Sequence, residues 1–140
     1  MRSISQILND SKTIAIVGLS NKPDRASYGV AEYLQEAGYR IVPVNPSYAG
    51  DTILGETVHA TLQDAADALA AGGQQIDIVD CFRKSEDIPP IAREAIAVRA
   101  GCLWMQLDIE NQAAADLARA AGLDVVQNHC IKIEHRSLQA

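Results

Sequence analysis

Five short apolar runs recur along the chain, separated by stretches with helical periodicity: TIAIV at 13–17, YRIVPV at 39–44, QIDIVD at 75–80, CLWMQ at 102–106 and LDVVQ at 123–127. Runs of this length, rich in Val and Ile and bounded by polar turns, read as strands. Strand and helix in strict alternation require a parallel sheet, because each strand must be carried back over the sheet by the helix that follows it. TVHA at 57–60 reads as a sixth, brief edge strand. Together these predict an α/β fold, a Rossmann-like doubly wound parallel sheet with strand order 3-2-1-4-5-6. The 140 residues suffice for a single domain, 1–140, and are too few for two ordinary ones.

The helices carry their own punctuation. Ser3 and Gln6 have capping-box spacing ahead of Ile4, Ile7 and Leu8. Ser27 is the expected cap of a helix from Tyr28 that buries Val30, Ala31, Leu34 and Ala37 and stops at Gly38. Pro43 should lie at an edge or bulge, and PSYAGDTILGE after it reads as a loop. Thr61, with Asp64 three residues on, opens a helix packing Leu62, Ala65 and Leu69. Pro89 and Pro90 fit only the first turn of the next, which presents Ile88, Ile91, Ala95 and Val98 and ends at Gly101. Asn111 caps the helix carrying Leu117 and Ala120, and the tail NHCIKIEHRSLQA reads as a short closing helix.

In such a sheet, ligands bind outside the carboxyl ends of the strands where the strand order reverses. The first loop there, Gly18 to Ser27, has anion-binding chemistry. Gly18 lets the backbone approach a ligand, Ser20 and Ser27 offer hydroxyls, and Lys22 and Arg25 offer cations. The helix from Tyr28 aims free N–H groups at the same place, and Gly29 leaves room beside the backbone. The glycine fingerprint of dinucleotide sites would need glycines at 18, 20 and 23; only Gly18 is present.

The loop after the second strand holds Asn45 and Pro46, with no carboxylate before Asp51. An NAD site places an acid there for the ribose, whereas Asn45 can donate to a phosphorylated ribose or simply start a turn. In DCFRKS, Phe82 is the only phenylalanine; it either stacks on a ligand, with Arg83 near a phosphate, or packs under the proline-led helix.

A net charge of −6 argues against nucleic acid as a partner. No apolar run approaches the roughly 20 residues that span a bilayer, and MRSISQILND lacks the pattern of a signal peptide. Cys81, Cys102 and Cys130 form no C-x-x-C pair, so a cytoplasmic location is expected, with no metal site.

The string G-x-S-x-x-P-x-R-x-S-x-G-V over 18–30, followed by P-V-N-P at 43–46, resembles the small single-domain CoA-binding proteins of bacteria. IDIVDCFRKSEDIP and LWMQLDIENQAAADLARAAGLDVVQNHCIKIEH extend the likeness to residues 11–136. That domain is similar to the N-terminal CoA-binding domain of the succinyl-CoA synthetase α subunit. The resemblance implies coenzyme A as cofactor, its pyrophosphate on Gly18, Ser20 and the Arg25–Ser27 turn. It also implies Asn45 and Pro46 beside the adenosine portion, with Phe82 and Arg83 flanking the ligand. The resulting ligand set is Gly18, Leu19, Ser20, Lys22, Arg25, Ser27, Tyr28, Gly29, Asn45, Pro46, Phe82 and Arg83. Asp108 departs from the glycine expected in many relatives. The synthetase works through a phosphorylated histidine in a second domain and through a partner subunit; this chain contains neither.

Few residues suggest chemistry beyond binding. Adjacent His129 and Cys130 cannot form a dyad simply by adjacency and read as core or cap residues. Cys81, at the end of a central strand facing the expected pocket, reads as buried rather than as a partner for the coenzyme thiol. Glu134 and His135 read as a solvated face, Trp104 as core, and His59 has no readable role. The expectation is a non-catalytic domain for coenzyme A or an acyl-CoA, with no assigned protein partner. The alternatives are a nucleotide-dependent enzyme, using NAD or CoA, and a regulatory partner that responds to its ligand.

Overall fold

The computed structural model describes residues 1–139. Ala140, at the end of the expected closing helix, lies outside them. Five parallel strands form the central sheet: β1 (Thr13–Val17), β2 (Arg40–Val44), β5 (Ile78–Cys81), β6 (Cys102–Met105) and β7 (Asp124–Val126). Their order is β2-β1-β5-β6-β7. The expected sixth strand contracts to one bridge, Val44 with His59, beside β2. Its first residue instead joins a two-stranded antiparallel hairpin, β3 (Thr52–Ile53) and β4 (Glu56–Thr57). The stretch read as a plain loop thus contains this hairpin and a 3-10 turn, Pro46–Tyr48. Pro43 lies on the outermost full strand, its carbonyl turned outward to accept from His59 N at 3.0 Å, so its missing N–H costs β1 nothing.

Helices cover both faces. On one, Val42, Val79, Leu103 and Val125 pack with residues of α3 (Leu62–Ala70), α4 (Ile88–Ala97) and α5 (Gln112–Ala120). On the other, Ile16, Ile41, Ile78 and Trp104 pack with α1 (Ile4–Asp10), α2 (Ala26–Glu36) and α6 (Ile131–Leu138). Each strand therefore sends alternate side chains into two separate cores, as a doubly wound sheet requires.

Ser3 and Gln6 form the capping box, and Thr61 and Asn111 cap α3 and α5 through bonds to Asp64 N and Ala114 N. Pro89 and Pro90 sit in the first turn of α4, after a 3-10 turn at Ser85–Asp87. One expectation fails at the surface: Ala37, expected in the core, is exposed at the C-cap of α2. Val98, the C-cap of α4, packs half-buried against the core, and Leu117 is exposed on α5.

Candidate ligand-binding site

The strand order reverses between β1 and β5. β1 feeds α2 on one face of the sheet, while β5 feeds α4 on the other. The loops leaving these two strands diverge and open a crevice. At its base Gly18 has φ +89°, and a Cβ there would lie 2.9 Å from both Phe82 O and Arg83 Cδ. Glycine is needed twice over, for the turn and for the contact between the two loops.

On the α2 side, Gly18, Ser20, Lys22, Arg25, Ser27, Tyr48 and Phe82 line a cleft of about 320 Å³. The loop around it is braced by its own side chains. Ser27 Oγ accepts from Ser20 N at 3.0 Å, and Ser20 Oγ accepts from Lys22 N at 3.1 Å. Both hydroxyls act as acceptors in these bonds, so each keeps its proton to donate elsewhere. Arg25 N bonds Lys22 O, closing the turn into α2. Helix α2 begins at Ala26, earlier than expected, and its cap position is Arg25, which makes no side-chain cap bond. Ser27 is therefore a brace of the loop and not the cap. Ala26 N and Ser27 N find no acceptor among the described residues, which leaves donors and the positive end of the helix dipole at the cleft. Lys22, Arg25 and Arg83 are exposed and form no ion pair among the described residues.

Across Gly18, a second cleft of about 400 Å³ lies between the α3 and α4 starts. Its walls are apolar (Val17, Val44, Pro46, Leu62, Pro90, Ile91), with Arg83, Glu86, Asp87 and Glu94 also lining it. One cleft is cationic and polar and the other apolar and acidic. A long ligand with phosphates at one end matches that asymmetry.

The other expected residues take different places. Leu19 is fully buried, and only its carbonyl is used, accepting from Asn45 Nδ2 at 3.1 Å. Asn45 is buried as well, its Oδ1 accepting from Ser47 N at 3.0 Å, so its side chain ties two loops together and starts the 3-10 turn. Tyr28 packs against the core and lines neither cleft. Gly29, fourth in α2, lines neither, and a Cβ there meets nothing. Phe82 packs on the α2 face, opposite the proline-led helix, and forms part of the cationic cleft. Tyr48, Thr61, Glu86 and Glu94 line the clefts although the sequence marks none of them as a site residue; the only signal is Tyr48's place in the loop after β2.

Cys81 is fully buried among the residues of the α3–α4–α5 face, and burial drives its thiol pKa well up. It lines neither cleft. Cys102 is likewise buried with a raised pKa, the main cause again being desolvation. Cys130 is half-buried at the α6 cap position and makes no cap bond; neighbouring His129 is exposed. His135 does not sit on a solvated face: its Nδ1 lies 2.8 Å from Tyr33 Oη, and its ring meets Tyr33 and Tyr39 edge-on. Trp104 is core, its Nε1 donating to His129 O at 2.8 Å. Asp108 adopts φ +69°, the left-handed conformation glycine takes freely, and lines neither cleft.

Asp80, on β5 two residues before Phe82, is fully buried. Gln106 Nε2 donates to its Oδ1 at 2.5 Å, Oδ2 has no partner, and desolvation raises its pKa to about 7 against the lowering effect of Gln106. Among the described residues, no group of three or more His, Cys, Asp and Glu is placed to hold a metal, and no helix is long and apolar enough to cross a membrane.

Residues 12–136 match the sequence model of a CoA binding domain. The chain is 39% identical over 132 residues to the YneT protein of Bacillus subtilis, covering 94% of this chain and 91% of that one. Among solved structures it superposes on the cell-free ID.343 protein of Thermus thermophilus with TM-score 0.88 and 32% identity, over 98% and 99% of the two chains. A hypothetical protein of Pyrococcus horikoshii gives TM-score 0.88 and 35% identity, over 98% and 90%. RSP, solved with β-NADH, shares the fold at TM-score 0.61 and 18% identity, over 96% of this chain and 62% of its own. The chain belongs to the CoA binding domain family.

Proposed function

We propose that the chain binds coenzyme A or an acyl-CoA at the C-terminal edge of its sheet, as a non-catalytic domain working in the cytoplasm. The observation that carries this reading is the pairing of two unlike clefts at Gly18. Ser20, Ser27, Lys22 and Arg25 offer donors and positive charge to the phosphates. The apolar walls across Gly18 offer a dry path for an uncharged arm. Family membership supports a small-molecule ligand of this kind.

The alternative of a nicotinamide dinucleotide draws on the shared fold with RSP. It lacks support at the end of β2, where Asn45 is committed to Leu19 and Ser47 and no carboxylate awaits a ribose. A non-catalytic role is supported by the burial of Cys81 and Cys102, which removes two of the three thiols as nucleophiles.

Calorimetric titration of the purified protein tests the reading. Coenzyme A should release binding heat and raise the thermal midpoint, and Arg25→Ala or Ser20→Ala should weaken both effects. A response to NAD with none to coenzyme A overturns it. Turnover of an acyl-CoA by the purified protein would overturn the non-catalytic part.

A further inference from the structure

Among the described residues, one buried side-chain polar atom has no hydrogen-bond partner, and it is Asp80 Oδ2. Its position follows from the pleat. Val79 and Cys81 point to the α3–α4–α5 face, whereas Ile78 belongs to the α1–α2–α6 face. Asp80 therefore projects to the latter, between Ile78 and Phe82, with Ile16 and Trp104 beside it in register. Phe82 lines the cationic cleft with Gly18, two residues beyond the Asp80–Ile16 pair. At about 3.3 Å per residue, the Asp80 backbone lies roughly 7 Å below that of Phe82 on the cleft floor.

No fixed cation among the described residues compensates it. The causes of its shifted titration are desolvation and the Gln106 bond, with no charged neighbour among them. Cys81 on its own strand and Cys102 on β6 are the thiols that sense its charge, and burial keeps both protonated. β1 contributes Ile16, β6 contributes Trp104, and Gln106 follows directly after β6. The helices on this face pack Leu8, Val30, Ala31, Leu34 and Ile131 into the core. Their titratable groups toward the carboxyl end of the sheet are Lys22, Asp24, Arg25 and Tyr28 before and within α2, and His129, Cys130, Lys132 and Glu134 around the α6 start.

We propose that Asp80 is a proton site coupled to the cleft above it, taking a proton from solvent when a phosphate-bearing ligand binds and returning it on release. This rests on the phosphate-binding reading of the cleft and adds to it a pH dependence of binding. Two unit charges roughly 10 Å apart in partly buried surroundings interact enough to raise the carboxyl midpoint by about one pH unit. The reciprocal effect is an affinity about tenfold higher when the carboxyl is protonated than when it is ionised.

The test is calorimetry with coenzyme A near pH 7.5, in buffers of differing ionisation enthalpy. That pH lies above the second ionisation of a phosphate monoester, near 6. The wild type should take up about half a proton per ligand bound, and Asp80→Asn almost none. No uptake by the wild type, or equal uptake by both, overturns the proposal. Should Asp80→Asn fail to fold, the carboxyl ¹³C resonance of Asp80 is titrated in the wild type with and without ligand. A midpoint that ligand does not move overturns the proposal; an upward move of about one unit supports it. Inorganic pyrophosphate as a second probe separates the two ideas. If pyrophosphate moves the midpoint and coenzyme A does not bind, the proton coupling stands and the coenzyme reading falls.

Discussion

The side-chain amide of Asn45 donates to the carbonyl of Leu19 across 3.1 Å, both residues buried, and fastens the loop after β2 to the loop after β1. Its Oδ1 meanwhile holds Ser47 N. Asn45 therefore acts on the cleft through the loops, with its donor committed inside the protein. Asn45→Ala removes both bonds and leaves the Leu19 carbonyl buried without that partner, at a cost of about 1–3 kcal/mol. We expect a lower denaturation midpoint and a faster ligand off-rate. An unchanged midpoint would show that the fastening contributes nothing.

Gly18→Ala should be worse. The residue would have to hold φ +89° with a Cβ 2.9 Å from the Phe82 carbonyl oxygen. Left-handed backbone alone costs roughly 1–2 kcal/mol, and relieving the contact must push the β1 and β5 loops apart. Loss of stability by about 2 kcal/mol or more, together with loss of ligand heat, is the expected result in denaturation and titration experiments.

What the sequence disclosed, and what it hid, divides along physical lines. Ser3, Thr61 and Asn111 were readable as caps because each bonds a backbone group within three residues of itself. The strand order was readable because helical crossovers leave few choices. Ser27 braces the loop where the sequence predicts a cap, and the reason is physical. Its side chain reaches back seven residues to Ser20 N, and no local rule distinguishes that from a cap. Tyr48, Glu86 and Glu94 join the clefts through loop and helix placement that only the assembled sheet fixes. Asp80 gave no warning, since a strand run ending in Asp reads like any strand leaving the core.

Four helices end with the same pair of backbone bonds. After α2, α3 and α5 the left-handed position is Gly38, Gly73 and Gly122; after α4 it is Arg99, at φ +59°. Arg99 N bonds Ile96 O and Ala100 N bonds Ala95 O, so the motif is complete without glycine. Arg99→Gly should relieve the strain and stabilise the protein by about 1 kcal/mol, a rise of roughly 3–5 °C in the thermal midpoint. Calorimetric scans of the two proteins decide it; a lower midpoint in the variant would contradict the strain.

Asp80 also imposes a pH dependence on stability. Its folded pKa, about 7, lies above the unfolded value near 3.9. The native state thus keeps a proton that the unfolded chain releases. The stability this contributes is complete below about pH 4 and is lost as pH rises through about 7. Over that window the loss is of order 4 kcal/mol, opposed by any carboxylate whose folded pKa is depressed. Asp80→Asn carries no such charge, so it should gain on the wild type between pH 5 and pH 8 in urea denaturation. A constant difference across that range would mean that Asp80 ionises as freely folded as unfolded.

Thiol chemistry separates the three cysteines. Cys81 and Cys102 are 0% exposed, and desolvation raises both pKa values, so neither presents a thiolate to solvent. Cys130, half-buried at the start of α6, is the one thiol among the described residues that a reagent can reach without unfolding. A bulky disulfide reagent should therefore label about one thiol per native chain, and all three once urea unfolds it. Cys130→Ser should abolish the native-state label and leave coenzyme A binding unchanged, because Cys130 lines neither cleft. Rapid native labelling of Cys81 would show instead that the floor of the sheet opens at the β5 end, and would return that thiol to consideration as a partner of the bound coenzyme.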